Sequence, residues 1–300
     1  MTNTANKRIK VITGEPAKLA GNFEFTLSMI EQIRGGAARR LSIEQLTELI
    51  SALFKGMPYA AYPIKKTDLD MVFRGRIGRS NELLEKPSEF GYRQPRDVRD
   101  YGRCHGPGAS MFYCSTDLAT VLTELGPEVG DRVHAGRATI KEKHELRVTA
   151  IGEIDNIRRY GRPVIGNKES YEMLTDLLGK IKRKDSNDHA RIMVTDAFFA
   201  DFFAQPAQKQ HEYRPTSVLA DLIFRMPGGF DGLAYPSVEH RGRINYAIRP
   251  ESFNEHLEWE EFAAMDITKY HGFGFYEWRD CAKATATATD KHGNLVWETN

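Results

Sequence analysis

The sequence of 300 residues predicts an α+β protein with mixed, mostly antiparallel sheets and flanking helices. Short runs in which apolar and polar residues alternate, such as residues 70–76 and 133–140, are typical of β-strands. Apolar residues spaced three and four apart, as over residues 118–125, predict helices that bury one face. Because both patterns recur along the chain, we expect both kinds of element.

The composition excludes several classes of protein. Hydrophobic residues make up 41% and charged residues 28% of the chain, a balance typical of a globular protein rather than a disordered one. The net charge of +1 does not provide the broad basic surface of a dedicated nucleic-acid binder. No apolar run approaches the roughly 20 residues of a membrane span, and the N-terminus lacks a secretory pattern. The few cysteines (Cys104, Cys114 and Cys281) lack metal spacing, so we expect a cytoplasmic protein that binds no membrane.

The first 66 residues predict a helical N-terminal extension. Residues 23–33 suit a helix, which a pair of glycines would end. Ser42 then begins a second helix, with Gln45 in the position of a capping box. Nothing in this extension suggests chemistry.

A loop and a strand at 100–114 form the first half of the candidate site. The glycine-rich loop carries Arg103, and residues 111–114 predict a short buried strand that contains Tyr113. Upstream, the strand predicted at 70–76 would place Arg74 on the face opposite to its apolar neighbour. The two strands and the loop thus supply two arginines and a tyrosine as candidate site residues.

The helix that follows presents one carboxylate beside its apolar face. Ser115 or Thr116 suits its N-cap. The apolar stripe consists of Leu118, Val121, Leu122 and Leu125. At about 100° per residue, Glu124 falls beside Val121 on the flank of this stripe. Glu124 can present its charge there without being needed for packing, which makes it a candidate catalytic residue.

The rest of the chain predicts alternating strands and helices. Strands are expected at 133–140, 144–154, 230–237 and 244–250, and helices at 169–181, at 190–203 and from Pro215 onward. Ser237 stands at the far end of its strand. A turn at 290–294 predicts a C-terminal hairpin. We therefore expect a catalytic domain over 67–260, followed by a β-hairpin over 261–300 that packs on it.

These candidate residues occur in an order and local context that resembles the RES domain, a family named for its Arg, Glu and Ser. The segments that carry the resemblance are Val72-Phe-Arg74-Gly-Arg76, Tyr101-Gly-Arg103, Phe112-Tyr113, Leu122-Thr-Glu124-Leu125 and Phe230-Asp-Gly-Leu-Ala-Tyr-Pro-Ser237-Val. The strand that contains Asn245 and ends at Pro250 fits as well. The resemblance covers roughly residues 70–260 and implies a fold similar to that of the ADP-ribosyltransferases.

The resemblance also implies a function. It implies that NAD is the substrate, cleaved at the nicotinamide–ribose bond by water or phosphate, or used to transfer ADP-ribose to a protein. Members of the family look like toxins, often paired with an Xre-type antitoxin of the helix-turn-helix class. The cognate partner and any homo-oligomer stay open at this point.

The residue types suit this chemistry, and we expect Glu124, Arg74 and Ser237 to act in catalysis. A guanidinium, from Arg74 or Arg103, matches the pyrophosphate of NAD in charge and geometry. Glu124 would stabilise the cation that develops on the ribose. Tyr113 offers a face for nicotinamide, and the Ser237 hydroxyl can bind ribose or the amide. The histidines lack ligand spacing, so no metal is expected.

Two other classes of function remain. A nucleic-acid enzyme or binder could use the arginine run over 93–103, where Tyr92 and Tyr101 are interleaved, but Asp97 and Asp100 interrupt the run. An interaction module with a catalytically inert body is the third hypothesis. The joint presence of Arg74, Glu124 and Ser237 argues against it, and we do not expect direct binding of nucleic acid.

Overall fold

The computed structural model describes residues 10–13, 23–34, 40–79, 82–207 and 210–299. The chain divides into two compact units, each assembled from separate stretches of sequence. The first unit comprises Met1–Pro63, Val98–Ala109 and Arg147–Tyr235, and the second comprises Ile64–Asp97, Ser110–Leu146 and Pro236–Asn300. The segments predicted from the sequence, with boundaries at 66/67 and 260/261, are each continuous along the chain, whereas each of these units combines three separate stretches.

Helices and strands are interspersed through the described ranges, with a run of four helices over residues 153–224. The helices are α1 (Phe23–Arg34), α2 (Ile43–Phe54), α3 (Pro87–Phe90), α4 (Leu118–Leu125), α5 (Glu153–Tyr160), α6 (Lys168–Lys184), α7 (Ser186–Phe203), α8 (Arg214–Phe224) and α9 (Pro250–His256). The strands are β1 (Lys10–Thr13), β2 (Pro58–Ile64), β3 (Val72–Gly78), β4 (Phe112–Ser115), β5 (Arg132–Ile140), β6 (Leu146–Ala150), β7 (Gly232–Pro236), β8 (Ile244–Ile248), β9 (Leu257–Tyr270), β10 (Tyr276–Thr285) and β11 (Glu298–Thr299). The predicted α+β class, with mixed and mostly antiparallel strands, is confirmed. None of the helices in these ranges has both the length and the apolar composition that crossing a membrane requires.

The first unit begins with the predicted helices and adds strands that were not expected. The capping box of α2 is present, because Ser42 Oγ accepts from the Gln45 amide at 3.2 Å and Gln45 Oε1 accepts from the Ser42 amide at 3.0 Å. Strands β1 and β2 pair antiparallel, so the extension is not purely helical. Strand β2 was missed because it is buried at nearly every position and contains two prolines, which are uncommon inside strands.

A helix replaces the end of the strand predicted at 144–154. Strand β6 stops at Ala150, and Gly152 adopts the left-handed conformation (φ 74°) that turns the chain into α5. Strand β6 pairs with β7 in parallel, which makes the strands of this unit mixed. The spacing of Phe198, Phe199, Phe202 and Phe203 predicts a buried aromatic face of α7, and Phe198, Phe199 and Phe203 are buried while Phe202 is half-buried.

The second unit contains strands in the order β8-β4-β3-β5-β9-β10-β11, with antiparallel pairing. Strand β3 pairs along its whole length with β5 but shares only the pair Phe73↔Ser115 with β4. Helix α4 packs on the face of β3 that carries Gly75, where an added Cβ would lie 2.7 Å from Val121 Cγ1. A glycine at this position lets α4, the helix of Glu124, approach the strand closely.

The C-terminal hairpin differs from the prediction. Strand β9 begins at Leu257, before the predicted boundary, and turns into β10 at residues 271–275. The expected turn at 290–294 exists, with the Asp290 amide donating to the Asn294 carbonyl at 2.8 Å, but it closes only a short excursion after β10. Register shifts between β9 and its neighbours interrupt the alternation, which hid this long strand in the sequence.

Candidate active site

Helix α4 places Glu124 at its C-terminal end. Its N-cap is Asp117, whose Oδ1 accepts the Thr120 amide at 2.8 Å, and the prediction of Ser115 or Thr116 is wrong. Ser115 is the last residue of β4, and its hydroxyl is engaged elsewhere, so the helix starts two residues later.

One oxygen of the Glu124 carboxylate accepts three hydrogen bonds. Ser237 Oγ donates to Oε1 at 2.5 Å, Asn245 Nδ2 donates at 2.7 Å, and the Val238 amide donates at 3.2 Å. Charge-assisted bonds of this kind are stronger than bonds between neutral groups. They fix the orientation of the carboxylate and leave Oε2 without a donor from the described part of the chain.

The two side chains that donate to Glu124 are buried and are part of a polar cluster that includes Ser115. Ser237 is 5% exposed and Asn245 is 6% exposed, whereas Glu124 itself is exposed. Ser115 and Asn245 are opposite each other in the β4–β8 register, so their side chains share one face. Ser115 Oγ donates to Asn245 Oδ1, which directs Asn245 Nδ2 toward Glu124. Asn245 was not among the predicted site residues, although its strand was predicted.

Ser237 begins a tight loop that folds around its own side chain. The Ser237 amide donates to the Arg243 carbonyl at 2.8 Å, and Ser237 Oγ accepts from the His240 amide at 3.0 Å. The hydroxyl therefore accepts one bond from the loop and donates one to Glu124. This geometry makes Ser237 a support for Glu124, while its predicted contact with NAD stays a prediction.

Arg74 lies against β4 and contacts the residue predicted to stack on nicotinamide. Its Nη1 donates to the Tyr113 carbonyl at 2.8 Å, and its guanidinium lies 5.3 Å from the centre of the Phe112 ring. Burial, followed by the charge of Arg76, lowers the pKa of Arg74 to about 10. Arg74 and Tyr113 are thus neighbours.

Arg74 forms a basic cluster with Arg76 and Arg93. Arg74 and Arg76 are two residues apart on β3 and share one face of the strand. Arg93 is close enough that its charge contributes to lowering the pKa of both, although burial is the larger cause. The spacing of Arg74 and Arg76, two apart on a predicted strand, indicates that both side chains lie on the same face, but only Arg74 was predicted as a site residue.

Arg103 has a different environment, within the first unit. Its guanidinium donates to the Phe203 carbonyl at 2.6 Å and to the Gln205 carbonyl at 3.2 Å, and it lies 5.1 Å from the centre of the Tyr213 ring. These bonds satisfy carbonyls at the end of α7, where a cation is favourable. The structure thus gives Arg103 a structural role, and its predicted binding of NAD stays a prediction.

The structure therefore joins Glu124 to Ser237, and Arg74 to Tyr113. Among the described residues, no group of three or more His, Cys, Asp or Glu side chains is placed to hold a metal ion. The expectation that no metal takes part stays a prediction.

Comparison with protein families matches the RES domain to residues 76–264. Searches of the curated proteins and of the solved structures find no match. The family match covers more than half of the chain and includes Arg76, Arg103, Tyr113, Glu124 and Ser237, while Arg74 lies just before it. The chain therefore belongs to the RES domain family, a membership consistent with an NAD-related function.

Proposed function

We propose that this protein consumes NAD by cleaving the bond between nicotinamide and ribose, with water or phosphate as the acceptor. The observation that carries the proposal is the exposed Glu124 carboxylate, which three donors hold through a single oxygen. Exposed acids are common, so the feature that distinguishes Glu124 is that several donors hold its carboxylate in one orientation. Two of the three donors, Ser237 and Asn245, are buried, whereas the carboxylate is exposed.

This arrangement suits the charge that develops during cleavage. As the C–N bond of NAD breaks, positive charge builds on the ribose, and a carboxylate fixed beforehand stabilises it without reorganising. Nicotinamide is cationic within NAD and leaves as a neutral molecule, so it needs no proton from the protein. One well-held carboxylate is therefore sufficient for the bond-breaking step.

The basic cluster of Arg74, Arg76 and Arg93 suits the pyrophosphate of NAD. The Nε atoms of Arg74 and Arg76 are buried and have no hydrogen-bond partner among the described residues. In these ranges no carboxylate lies within ion-pair distance of any of the three guanidiniums, although the charge of Glu89 raises the pKa of Arg76 and partly offsets the effect of burial. An anion that accepts several hydrogen bonds would satisfy both deficits, and pyrophosphate is such an anion.

The direct test is to incubate the purified protein with NAD, with and without phosphate, and to measure nicotinamide. We expect release, with ADP-ribose as the product in water and ADP-ribose 1-phosphate if phosphate is the acceptor. Intact NAD in both conditions would refute the proposal.

The anion site has its own test. Arg74→Ala should weaken NAD binding by about 1.5–3 kcal/mol, the scale of a lost charge-assisted bond. Arg74→Lys should recover only part of this, because an ammonium cannot reproduce the guanidinium fork. Equal affinities of the wild type and the alanine variant in calorimetry would exclude Arg74 from the pyrophosphate site.

In the cell, we propose a cytoplasmic toxin of a toxin–antitoxin or defence system, with an Xre-type protein as its antitoxin. Induction in a bacterial host should lower NAD before growth stops, and the Glu124→Gln variant should leave both unchanged. Growth arrest at normal NAD with degraded RNA would instead favour action on nucleic acid.

A protein acceptor for ADP-ribose is the second candidate, and the β9–β10 turn favours it. Phe273 is 95% exposed and Phe275 is 69% exposed. The turn lies beside α4, because the Gly274 carbonyl is 3.4 Å from Thr123 Oγ1, a hydroxyl that donates its proton to the Ala119 carbonyl at 2.7 Å. An exposed aromatic surface beside α4, the helix that carries Glu124, is suited to a protein acceptor. ADP-ribose attached to a host protein, detected by mass spectrometry, would establish this activity.

A further inference from the structure

His240 is hydrogen-bonded through its backbone amide and through its imidazole ring to residues close to Glu124. Its amide donates to Ser237 Oγ at 3.0 Å, and the same hydroxyl bonds Glu124 Oε1 at 2.5 Å. Its ring Nδ1 lies 2.9 Å from Thr120 Oγ1, one helical turn before Glu124 on α4. The half-buried imidazole is thus held one helical turn from Glu124, and its backbone is linked to the carboxylate through Ser237.

The hydrogen bonds of Thr120 determine where the proton of the neutral ring lies. Thr120 Oγ1 is 2.8 Å from Asp117 Oδ1, and an ionised carboxylate only accepts, so the hydroxyl must donate to Asp117. The hydroxyl has one proton, and it can therefore only accept from His240 Nδ1–H. This leaves Nε2 as the basic nitrogen, and Nε2 has no hydrogen-bond partner in the described part of the chain.

Asp117 is in turn able to stabilise a proton on His240. Its Oδ2 is buried without a hydrogen-bond partner among the described residues, and Thr120 is fully buried. Arg243 Nε, 3.7 Å from Oδ2, is the nearby cation. Two further carboxylates are close to His240 along the chain or through hydrogen bonds. Glu239 precedes it in the loop, and Glu124 is linked to its backbone amide through Ser237 Oγ. Asp117 orients the imidazole through the Thr120 hydroxyl, whereas in a hydrolytic triad the carboxylate bonds the imidazole directly.

We propose that His240 is the general base that activates water in the hydrolysis of NAD, an inference that rests on the proposed function. The water oxygen bonds to the anomeric carbon of the ribose as the C–N bond breaks and nicotinamide leaves with the bonding pair. The water proton passes to His240 Nε2 and then to solvent. Phosphate is already an anion and needs no deprotonation, so His240 acts when water is the acceptor.

The test is His240→Asn, because the asparagine Nδ2–H can replace the Nδ1–H donor to Thr120 but supplies no base. Nicotinamide release is measured in water and at saturating phosphate, with products identified and melting temperatures compared. We expect hydrolysis to fall about a hundredfold in kcat, the scale of a lost general base, with little change in KM. Phosphate-dependent release should be retained. His292→Asn, in the exposed turn at 290–294, is the matched control and should match the wild type.

Thr120→Val provides a second measurement, because it removes the hydroxyl that orients the ring while keeping its shape. It should lower hydrolysis by a smaller factor than His240→Asn. Unchanged hydrolysis in the asparagine variant, equal losses with water and phosphate, or a wild type that works only with phosphate would each overturn the inference. A wild type that releases no nicotinamide under any condition would instead refute the proposed function itself.

Discussion

The carboxylates of the two units are held by similar hydrogen bonds but differ in which partner is buried. In the second unit Glu124 is exposed, while its donors Ser237 and Asn245 are buried. In the first unit the carboxylates themselves are buried, with Glu153 5% exposed and Asp196 3% exposed. A carboxylate presented on buried donors can meet a ligand, whereas a carboxylate buried among donors stabilises the fold.

The buried acids show what the structural case looks like. Glu153 accepts from the Tyr62 hydroxyl and the Val164 amide, and Asp196 accepts from the Asp155 amide at 2.8 Å near the start of α5. Burial raises the pKa of each carboxyl to about 7. A shifted pKa often marks a functional site, but these partners identify a helix cap and a loop anchor.

The largest expected effect comes from Glu124→Gln, which tests whether the presented carboxylate acts in chemistry. The variant should fold normally, because Glu124 is exposed, and lose nicotinamide release by more than about a hundredfold. Release is measured by chromatography and folding by the melting temperature. Glu128→Gln, at another exposed position just after α4, is the control. Wild-type release from the glutamine variant would remove the functional distinction between the two units.

Asn245→Asp tests whether the buried donors matter to the presented carboxylate. It keeps the shape of the side chain but replaces the donor 2.7 Å from Glu124 Oε1 with a second carboxylate oxygen. Repulsion should move Glu124, and we expect activity to fall roughly tenfold to a hundredfold, as for a misplaced catalytic group. Turnover and melting temperature are measured together. If Asn245→Asp retains full turnover, the hydrogen bond from the buried Asn245 side chain does not position Glu124.

Chemical unfolding between pH 5 and pH 8 tests the buried acids of the first unit. Their folded pKa near 7 lies above the unfolded value, so the native state binds more protons. Their stabilising contribution is therefore complete below the unfolded pKa and is lost as the pH rises through about 7. We expect a loss of about 3 kcal/mol from Glu153 in the wild type. Glu153→Gln should reduce this loss, whereas Glu169→Gln, at an exposed position of α6, should not change it.

Asp266 of the second unit should respond with the opposite sign and a smaller effect. Arg132 donates to both its oxygens, at 2.7 and 3.0 Å, and holds the pKa of Asp266 well below its usual range. The stabilisation is therefore present above the unfolded pKa and is lost as the pH falls below about 4. Asp266→Asn should cost about 1–2 kcal/mol at pH 7 and less in acid, measured by denaturant unfolding. An equal cost at both pH values would contradict the ionic origin.

Local patterns in the sequence predicted more of the fold than of the site. The capping box of Ser42 and Gln45 and the aromatic face of α7 depend on neighbours within one or two turns, and both were found. Strand β2 was missed because its burial comes from distant partners and its prolines argue against a strand. The cap of α4 was misplaced because Ser115 belongs to the strand before it.

The sequence by itself determined the α+β class and the ordered set Arg74, Arg103, Tyr113, Glu124 and Ser237 that points to the RES family. These features are properties of local spacing and of order along the chain. Only the tertiary structure decided which donors reach Glu124, because a hydrogen bond requires atoms about 3 Å apart. The β4–β8 register brings Asn245 and Ser115 together, and the loop after Ser237 brings His240 to Thr120. The residues next to Glu124 in the sequence do not predict these contacts, because Ser237 and Asn245, which donate to Glu124, are more than a hundred positions away along the chain.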